Sequence, residues 1–175
     1  MSLYPLAAVR FERADIDGFF ADLAENLTLS GLRVRGALQT RGAEAGECHC
    51  ADMDLTTLGS GRVFRISQPL GNGSRGCRLH HGALAECSSF IERELDGGAD
   101  LLILNRFGRG ESEGRGFRDL IGKAIARGVP VLLAVRPTYQ EAWSAFGAGL
   151  SCDLPMTRDA VLAWFDQTRE ARDAA

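Results

Sequence analysis

The hydrophobic pattern of the chain contains two short apolar runs that no polar residue interrupts. They are Leu101–Leu104, which stops at Asn105-Arg106, and Val131–Val135, which stops at Arg136. A run of this length without polar alternation is typical of a strand buried on both faces, as in a parallel sheet. The pattern therefore predicts two central parallel strands whose carboxyl ends carry polar and charged residues.

The first forty residues predict a β-α-β unit. Leu6–Phe11 has the pattern of a strand, and Asp15 can then cap a helix because its carboxylate accepts from the exposed first-turn amides. The apolar face of this helix recurs at helical spacing and consists of Ile16, Phe19, Phe20, Leu23 and Leu27. Arg33–Thr40 alternates as a second strand, which a right-handed crossover would place parallel to the first.

A hairpin and a long loop are predicted next. The hairpin arms are roughly Cys50–Thr57 and Arg62–Gln68, joined by the turn Gly59-Ser60-Gly61. Residues Pro69–Arg78 are rich in glycine, which favours a loop. A helix over about Gly82–Asp96 follows this loop.

The rest of the chain alternates helices and strands. The apolar positions from Phe117 to Ile125 predict a helix, and Thr138 with Glu141 has the capping-box spacing that opens another. Ser151–Leu154 is expected as an edge strand, and Thr157 as the cap of the last helix. We therefore predict a single α/β domain over residues 1–175, with three layers, a mostly parallel sheet and an inserted β-hairpin.

Composition and charge narrow the class of protein. The chain has 175 residues, of which 45% are hydrophobic and 25% charged, as is ordinary for a globular protein. No apolar run approaches the roughly 20 residues of a membrane helix, and no basic region precedes the first apolar residues as in a secretory signal. We expect a cytoplasmic protein without membrane insertion. The formal net charge of −3 argues against a nucleic-acid partner.

Two levels of resemblance to known proteins appear in the sequence. The order strand, helix, strand, hairpin, loop, helix and then LLILNRFGRGESEGRGF resembles the small bacterial and archaeal nucleoside-triphosphatases related to nucleotide kinases. The segments DMDLTTLGSGR, ISQPLGNGSRGCRL and LLILNRFGRGESEGRGFR are similar to a bacterial family called domain of unknown function 2478, over essentially the whole chain. Members of that family are often encoded beside molybdate-transport genes, which implies a link to molybdenum metabolism.

The resemblance implies a P-loop frame, but the residues of an active P-loop are missing. Such a loop needs Gly-x-x-x-x-Gly-Lys-Ser/Thr between the first strand and its helix, so that amides and a lysine hold the phosphates. Here the connection from Phe11 to Asp15 reads FERAD. Asn105-Arg106 stands where the resembling triphosphatases have an acidic pair, and Glu111 or Glu113 is the candidate for their later glutamate. We expect no ATP or GTP hydrolysis.

Arginines and glycines suggest an anion site instead. Glycine-rich loops let backbone amides approach an anion, and a helix amino terminus adds positive charge. Because parallel strands deliver their carboxyl ends to one edge of a sheet, the arginines after the two apolar runs should converge there. The ordinary alternative is a set of solvated surface arginines. The predicted anion-binding residues are Gly73, Ser74, Arg75, Gly76, Arg78, Asn105, Arg106, Arg109 and Arg136.

The five cysteines do not indicate a metal site. Cys48 and Cys50 point the same way on a strand while His49 points the opposite way, and no spacing with Cys77 or the His80-His81 pair matches a common zinc motif. The His80-His81 pair also stands where the resembling family leads one to expect an Asp-Pro helix start. Reduced thiols and no bound metal are therefore expected.

The sequence favours a non-hydrolysing accessory protein that binds an anion or a nucleotide. The expected ligand is an oxyanion such as phosphate or molybdate, and the resemblance implies molybdate-transporter components as partners. Two alternatives stay open at this point. One is an enzyme acting on a nucleotide or phosphorylated metabolite, and the other is a protein-interaction module with no small ligand.

Overall fold

The computed structural model describes residues 4–41, 53–69 and 77–174. In these ranges the strands are β1 (Leu6–Arg10), β2 (Val34–Arg41), β3 (Met53–Thr57), β4 (Val63–Arg65), β5 (Ser67–Pro69), β6 (Cys77–Leu79), β7 (Leu101–Leu104), β8 (Val131–Val135) and β9 (Ser151–Leu154). The helices are α1 (Ile16–Leu29), α2 (His81–Asp96), α3 (Arg109–Ser112), α4 (Arg118–Ala126), α5 (Gln140–Gly147) and α6 (Arg158–Asp173).

Seven of these strands form one sheet in the order β4-β3-β2-β7-β8-β1-β9. The five strands from β2 to β9 in this order are parallel to one another. The β3–β4 hairpin extends the sheet beyond β2 with antiparallel pairing. The predicted fold class, a mostly parallel α/β sheet with an inserted hairpin, is confirmed.

Helices cover both faces of the parallel strands, which explains why those strands are apolar throughout. In β1, Ala7 and Val9 pack against α1 and α6, whereas Leu6 and Ala8 face the core shared with α2, α4 and α5. Every residue of β7 and β8 is buried. A strand covered on one face only would need polar residues at alternate positions.

One glycine permits the central strands to approach closely. Gly36 in β2 has a φ of +126°, and a Cβ at this position would collide with the carbonyl oxygen of Ile103 in β7. Because side chains with a Cβ rarely adopt this φ, glycine fits both the conformation and the space.

Two local predictions differ from the structure. The loop predicted over Pro69–Arg78 lies mostly outside the described residues, but Pro69 ends β5 and Cys77-Arg78 belong to β6, and these two strands pair as a separate antiparallel ribbon. Thr138 was expected to cap a helix, but it lies inside a short 3-10 turn, Pro137–Tyr139, and α5 then begins at Gln140 without a side-chain cap. Proline fits the first position of a helical turn, so the turn starts one residue before the expected cap.

The described helices include none with both the length and the apolar character that crossing a membrane requires.

Candidate functional site

The carboxyl ends of β1, β7 and β8 stay in register beyond their last paired residues. Phe11, just after β1, donates its backbone N–H to the Val135 carbonyl at 3.2 Å. Phe107 donates to the Ala134 carbonyl at 2.8 Å. These two bonds hold the residues after β7 and β8 beside Phe11, at the edge where open α/β sheets bind their ligands.

Arg106 and Arg136 meet at the ring of Phe11. The guanidinium carbon of Arg106 lies 5.5 Å from the ring centroid, and that of Arg136 lies 5.2 Å from it. Both distances are within the range of a cation–π contact. Phe11 itself is buried, so it is a fixed platform for the two positive charges. The structure thus brings together two of the arginines named from the sequence.

Arg106 is already partly engaged with a carboxylate. Its Nη2 donates to both oxygens of Asp17, at 3.1 and 2.9 Å, although the two residues are far apart in the chain. Its Nε is buried and has no partner among the described residues. Arg136 is exposed, and within the described ranges its guanidinium has no carboxylate partner. The exposed guanidinium of Arg136 is therefore the part of the pair that is open to a ligand, whereas the Nε of Arg106 is unsatisfied but inaccessible.

The first turn of α1 contains two carboxylates where a P-loop would hold phosphates. Asp15 caps the helix, as predicted, by accepting from the Gly18 N–H at 3.0 Å. Asp17, two residues further along the chain, pairs with Arg106. Negative side chains stabilise a helix amino terminus in the same way as a bound anion does. This protein thus supplies from its own chain the negative charge that a phosphate would bring.

Asn105 links β7 to β2 through its side-chain amide. Its Oδ1 accepts from the Gln39 backbone N–H at 3.2 Å, and its Nδ2 donates to the Gln39 side-chain oxygen at 3.3 Å. Asn105 is 5% exposed. Both ends of its amide are used, so its contacts are those of a residue that holds two neighbouring strands together.

Arg109 belongs to a different group of charges. Its Nε donates to Glu113 at 2.8 Å, and Arg115 also pairs with Glu113. These hydrogen bonds, the one from Arg109 being the larger cause, lower the pKa of Glu113 below its ordinary value and raise that of Arg109. The group lines a cleft of about 290 Å³ together with His81 at the start of α2.

Glu111 is buried and binds the backbone of its own segment. It is 8% exposed, and its carboxylate accepts from the backbone N–H groups of Gly108, at 3.0 Å, and Phe117, at 2.9 Å. Gly116 passes so close to this carboxylate that a Cβ there would collide with it, and its φ is +64°. The glycines of this segment thus allow the chain to close around Glu111.

The other residues named for the anion site lie outside the described residues. These are Gly73, Ser74, Arg75 and Gly76, and the side chain of Arg78 lies outside them as well. The same holds for Cys48, His49 and Cys50. In the described part of the chain, no group of three or more histidine, cysteine, aspartate or glutamate side chains is arranged to hold a metal. His80 instead caps α2, accepting from the Ala83 N–H at 2.8 Å.

The sequence matches the model of a known protein family. Residues 6–164 match the family described as "Protein of unknown function (DUF2478)". The chain belongs to this family. The match confirms the resemblance drawn from the glycine- and arginine-rich segments of the sequence.

One curated relative extends the comparison. Over 154 residues, or 88% of this chain, the sequence is 36% identical to the molybdenum import ATP-binding protein ModC 2 of Bradyrhizobium diazoefficiens. The chain spans only 17% of the length of that protein.

The fold is also found in a solved structure. The solution structure of a human cancer-related nucleoside triphosphatase superposes with a TM-score of 0.64 at 14% identity, covering 97% of this chain and 96% of that one. At this identity the likeness concerns the fold alone, and it confirms the expected P-loop-like architecture.

Two features of the candidate site were missed in the sequence. Asp17 was not recognised as the partner of Arg106, and Phe11 was not recognised as the platform of both arginines. The only signal for Asp17 was its place in the first turn of a helix that follows β1, because that turn lies at the carboxyl edge of the sheet.

Proposed function

We propose that this protein is a cytoplasmic, non-hydrolysing accessory protein of molybdenum import that binds an oxyanion or the phosphate of a nucleotide. The observation that carries the proposal is the pair of arginines at Phe11, in which the guanidinium of Arg136 is exposed and has no carboxylate partner among the described residues. Asn105, whose amide is committed to Gln39, would support the strand end rather than contact the ligand.

The chemistry of the two arginines suits a tetrahedral oxyanion. A guanidinium presents its N–H donors in a planar fork that matches two oxygens of a phosphate-like group. Asp17 offsets one of the two positive charges, and an incoming dianion would compete with it for Arg106. The site would therefore bind an anion most tightly when Asp17 releases Arg106.

The absence of hydrolysis in this proposal follows from the residues around α1. FERAD, between β1 and α1, contains no lysine to contact a transferred phosphate, and Asp15 and Asp17 place negative charge at the helix start. Asn105 is a weaker ligand than an aspartate for a magnesium ion. Phosphoryl transfer relies on such positive groups to neutralise the charge that develops on the phosphate.

The link to molybdenum rests on the curated relative. This chain matches one part of a longer protein that is named for molybdenum import and ATP binding. Molybdate is a tetrahedral oxyanion, so it fits the chemistry of the arginine pair.

The test is a binding series with phosphate, sulfate, molybdate, tungstate and AMP, measured by calorimetry and by the shift in melting temperature. A charge-assisted hydrogen bond contributes about 1.5–3 kcal/mol, so Arg106→Ala and Arg136→Ala should each weaken binding by about tenfold or more. Asp17→Asn should strengthen it, because the variant leaves Arg106 without a competing charge.

Arg172→Ala is the matched control. Arg172 is exposed near the end of α6, and its Cδ lies near Gly128, which precedes β8 and so marks the opposite edge of the sheet. This variant should bind every anion as the unmodified protein does. Equal binding by the Arg106, Arg136 and Arg172 variants would contradict the proposed site.

A further inference from the structure

An open groove of about 660 Å³ runs along α1 on one face of the sheet. Ala21 and Ala24 form its helix wall, and Thr40 and Thr56 lie on its strand wall. Leu38 and Leu58 are the apolar residues between the two walls. Because alanines replace larger side chains on this side of α1, the space beside the helix is not filled by the helix itself.

The groove exists because the sheet is wider than its helix layer on this face. Among the described elements, α1 packs on β2, whereas α2 packs on β2, β3 and β4, and the two helices belong to the cores on opposite faces of the sheet. The hairpin residues that α2 covers include Leu55 and Phe64. The α1 side of the hairpin thus has no helix over it in the described part of the chain, although sheets in such folds are normally covered on both faces.

Two exposed apolar side chains border the groove. Leu29, at the end of α1, is 80% exposed. Val63 in β4 is 56% exposed, and it pairs with Thr56, so both lie on the groove side of the hairpin. Apolar exposure of this kind beside a concave surface is typical of a site that another molecule covers.

The charge of the groove specifies what would fit it. Two carboxylates of α1, Asp17 and Glu25, line the groove, and no lysine or arginine does. Asp17 is paired with Arg106, so Glu25 is the lining carboxylate that has no ion pair among the described residues. Asp22 lies on the same helix outside the lining. The negative end of the α1 dipole lies beside Leu29. On the strand wall, the hydroxyls of Thr40 and Thr56 bond to each other at 3.0 Å and add no charge. A partner with positive charge beside its apolar surface is therefore complementary to this groove.

We propose that the groove docks an amphipathic helix of a partner protein, with an apolar stripe against Leu38 and Leu58 and lysine or arginine residues along the α1 side. The groove follows α1 from Asp17 to Leu29, a distance of roughly 18 Å at 1.5 Å per residue. A helix of about 12 residues matches this length. It would lie about 8–10 Å from α1 and complete the helix layer of this face.

Neither Arg106 nor Arg136 lines the groove, but Asp17, the carboxylate partner of Arg106, does. The groove is therefore tested at positions other than Asp17.

The experiment titrates the isotope-labelled 175-residue chain with a designed amphipathic peptide of about 12 residues that has a leucine stripe and lysine flanks. A second peptide has glutamate in place of every lysine. We expect the lysine peptide to bind at least about tenfold more tightly at low salt, because like charges repel the second peptide. Amide shifts should be confined to α1, the end of β2 and residues 56–59.

Two groove variants and one control complete the test. Ala21→Arg and Thr40→Arg, one on each wall, place a positive charge in the groove. Each should weaken binding of the lysine peptide by about tenfold or more. Ala163→Arg makes the same change at an exposed position of α6 and should leave binding unchanged. Circular dichroism shows whether each variant is folded, and molybdate and phosphate binding are measured on the same samples.

Several results would overturn the proposal. They are equal affinity for both peptides, unchanged affinity in folded Ala21→Arg and Thr40→Arg, and amide shifts elsewhere in the protein. Self-association through the groove, detected by sedimentation, would assign it to a second copy of the chain. No binding would mean that the chain itself fills the groove. Ala21→Arg and Thr40→Arg leave Arg106, Arg136 and Asp17 unchanged, so failure of peptide binding and failure of oxyanion binding can be told apart on the same samples.

Discussion

Glu111 offers the sharpest test of how this structure is held together. The resemblance to nucleoside triphosphatases makes Glu111 or Glu113 the candidate for a functional glutamate, but the structure gives them different environments. The Glu111 carboxylate is buried and accepts from the backbone N–H groups of Gly108 and Phe117. Glu113 is exposed and pairs only with Arg109 and Arg115 in the described part of the chain. We therefore expect Glu111 to stabilise the fold and Glu113 to contribute little to it.

The magnitude follows from the two hydrogen bonds. Each bond to a charged acceptor contributes about 1.5–3 kcal/mol, so Glu111→Ala should destabilise the protein by at least about 3 kcal/mol. It also leaves two backbone N–H groups without an acceptor. For a protein of this size each kcal/mol lowers the melting temperature by about 2–4 °C, so the expected decrease is at least about 6–12 °C. Glu111→Gln keeps one acceptor oxygen, so its melting temperature should lie between those of the unmodified protein and Glu111→Ala.

Calorimetry and urea unfolding measure this loss, and Glu113→Ala is the matched control. Truncating an exposed ion pair should change the melting temperature little. If Glu111→Ala unfolds at the same temperature as Glu113→Ala, the two backbone contacts do not stabilise the fold and the reasoning is refuted. A folded Glu111→Ala that loses a nucleotide-dependent activity would assign the residue a catalytic role instead.

Three further predictions concern hydrolysis, thiol reactivity and acid stability. ATP and GTP turnover, followed by phosphate release, should stay at background, and steady hydrolysis that disappears in Asn105→Ala would contradict this. Burial raises the pKa of the Cys87 thiol to about 12 and that of Cys152 to about 11. At pH 8 a thiol reagent should therefore leave Cys87 unmodified until the protein unfolds, as mass spectrometry of its peptides would show; rapid native labelling would argue against its burial. Burial raises the pKa of Asp100, but the hydrogen bonds and charge of Arg33 outweigh it and hold this pKa below its ordinary value of 3.8. Because the folded pKa is the lower one, Asp100 stabilises the fold above pH 3.8 and this contribution is lost as the pH falls through the folded pKa. Asp100→Asn should be less stable than the unmodified protein at pH 7, and its stability should decrease less on acidification. Parallel acid-denaturation curves for the two proteins would contradict this.

The elements that could be predicted are those whose pattern is local. The buried strands β7 and β8 follow from uninterrupted apolar runs, and the start of α1 follows from Asp15 before an apolar helix face. In each case one short segment contains the whole signal. The ribbon of β5 and β6 was not predicted, because its strands have three residues each and a glycine-rich segment lies between them. Short strands leave too few alternating positions for a pattern.

The candidate site also combines features that local sequence predicts with features that depend on tertiary packing. From the sequence alone, parallel strand ends place Arg106 and Arg136 at one edge of the sheet, because direction and order follow from the β-α-β pattern. Their meeting at Phe11, the engagement of Arg106 by Asp17 and the burial of Glu111 depend on which side chains the packed helices bring together. Local sequence determines where each strand or helix begins and which face is apolar. Only the tertiary structure decides which charges become neighbours, because those pairs are separated in the chain and are selected by packing across the whole sheet.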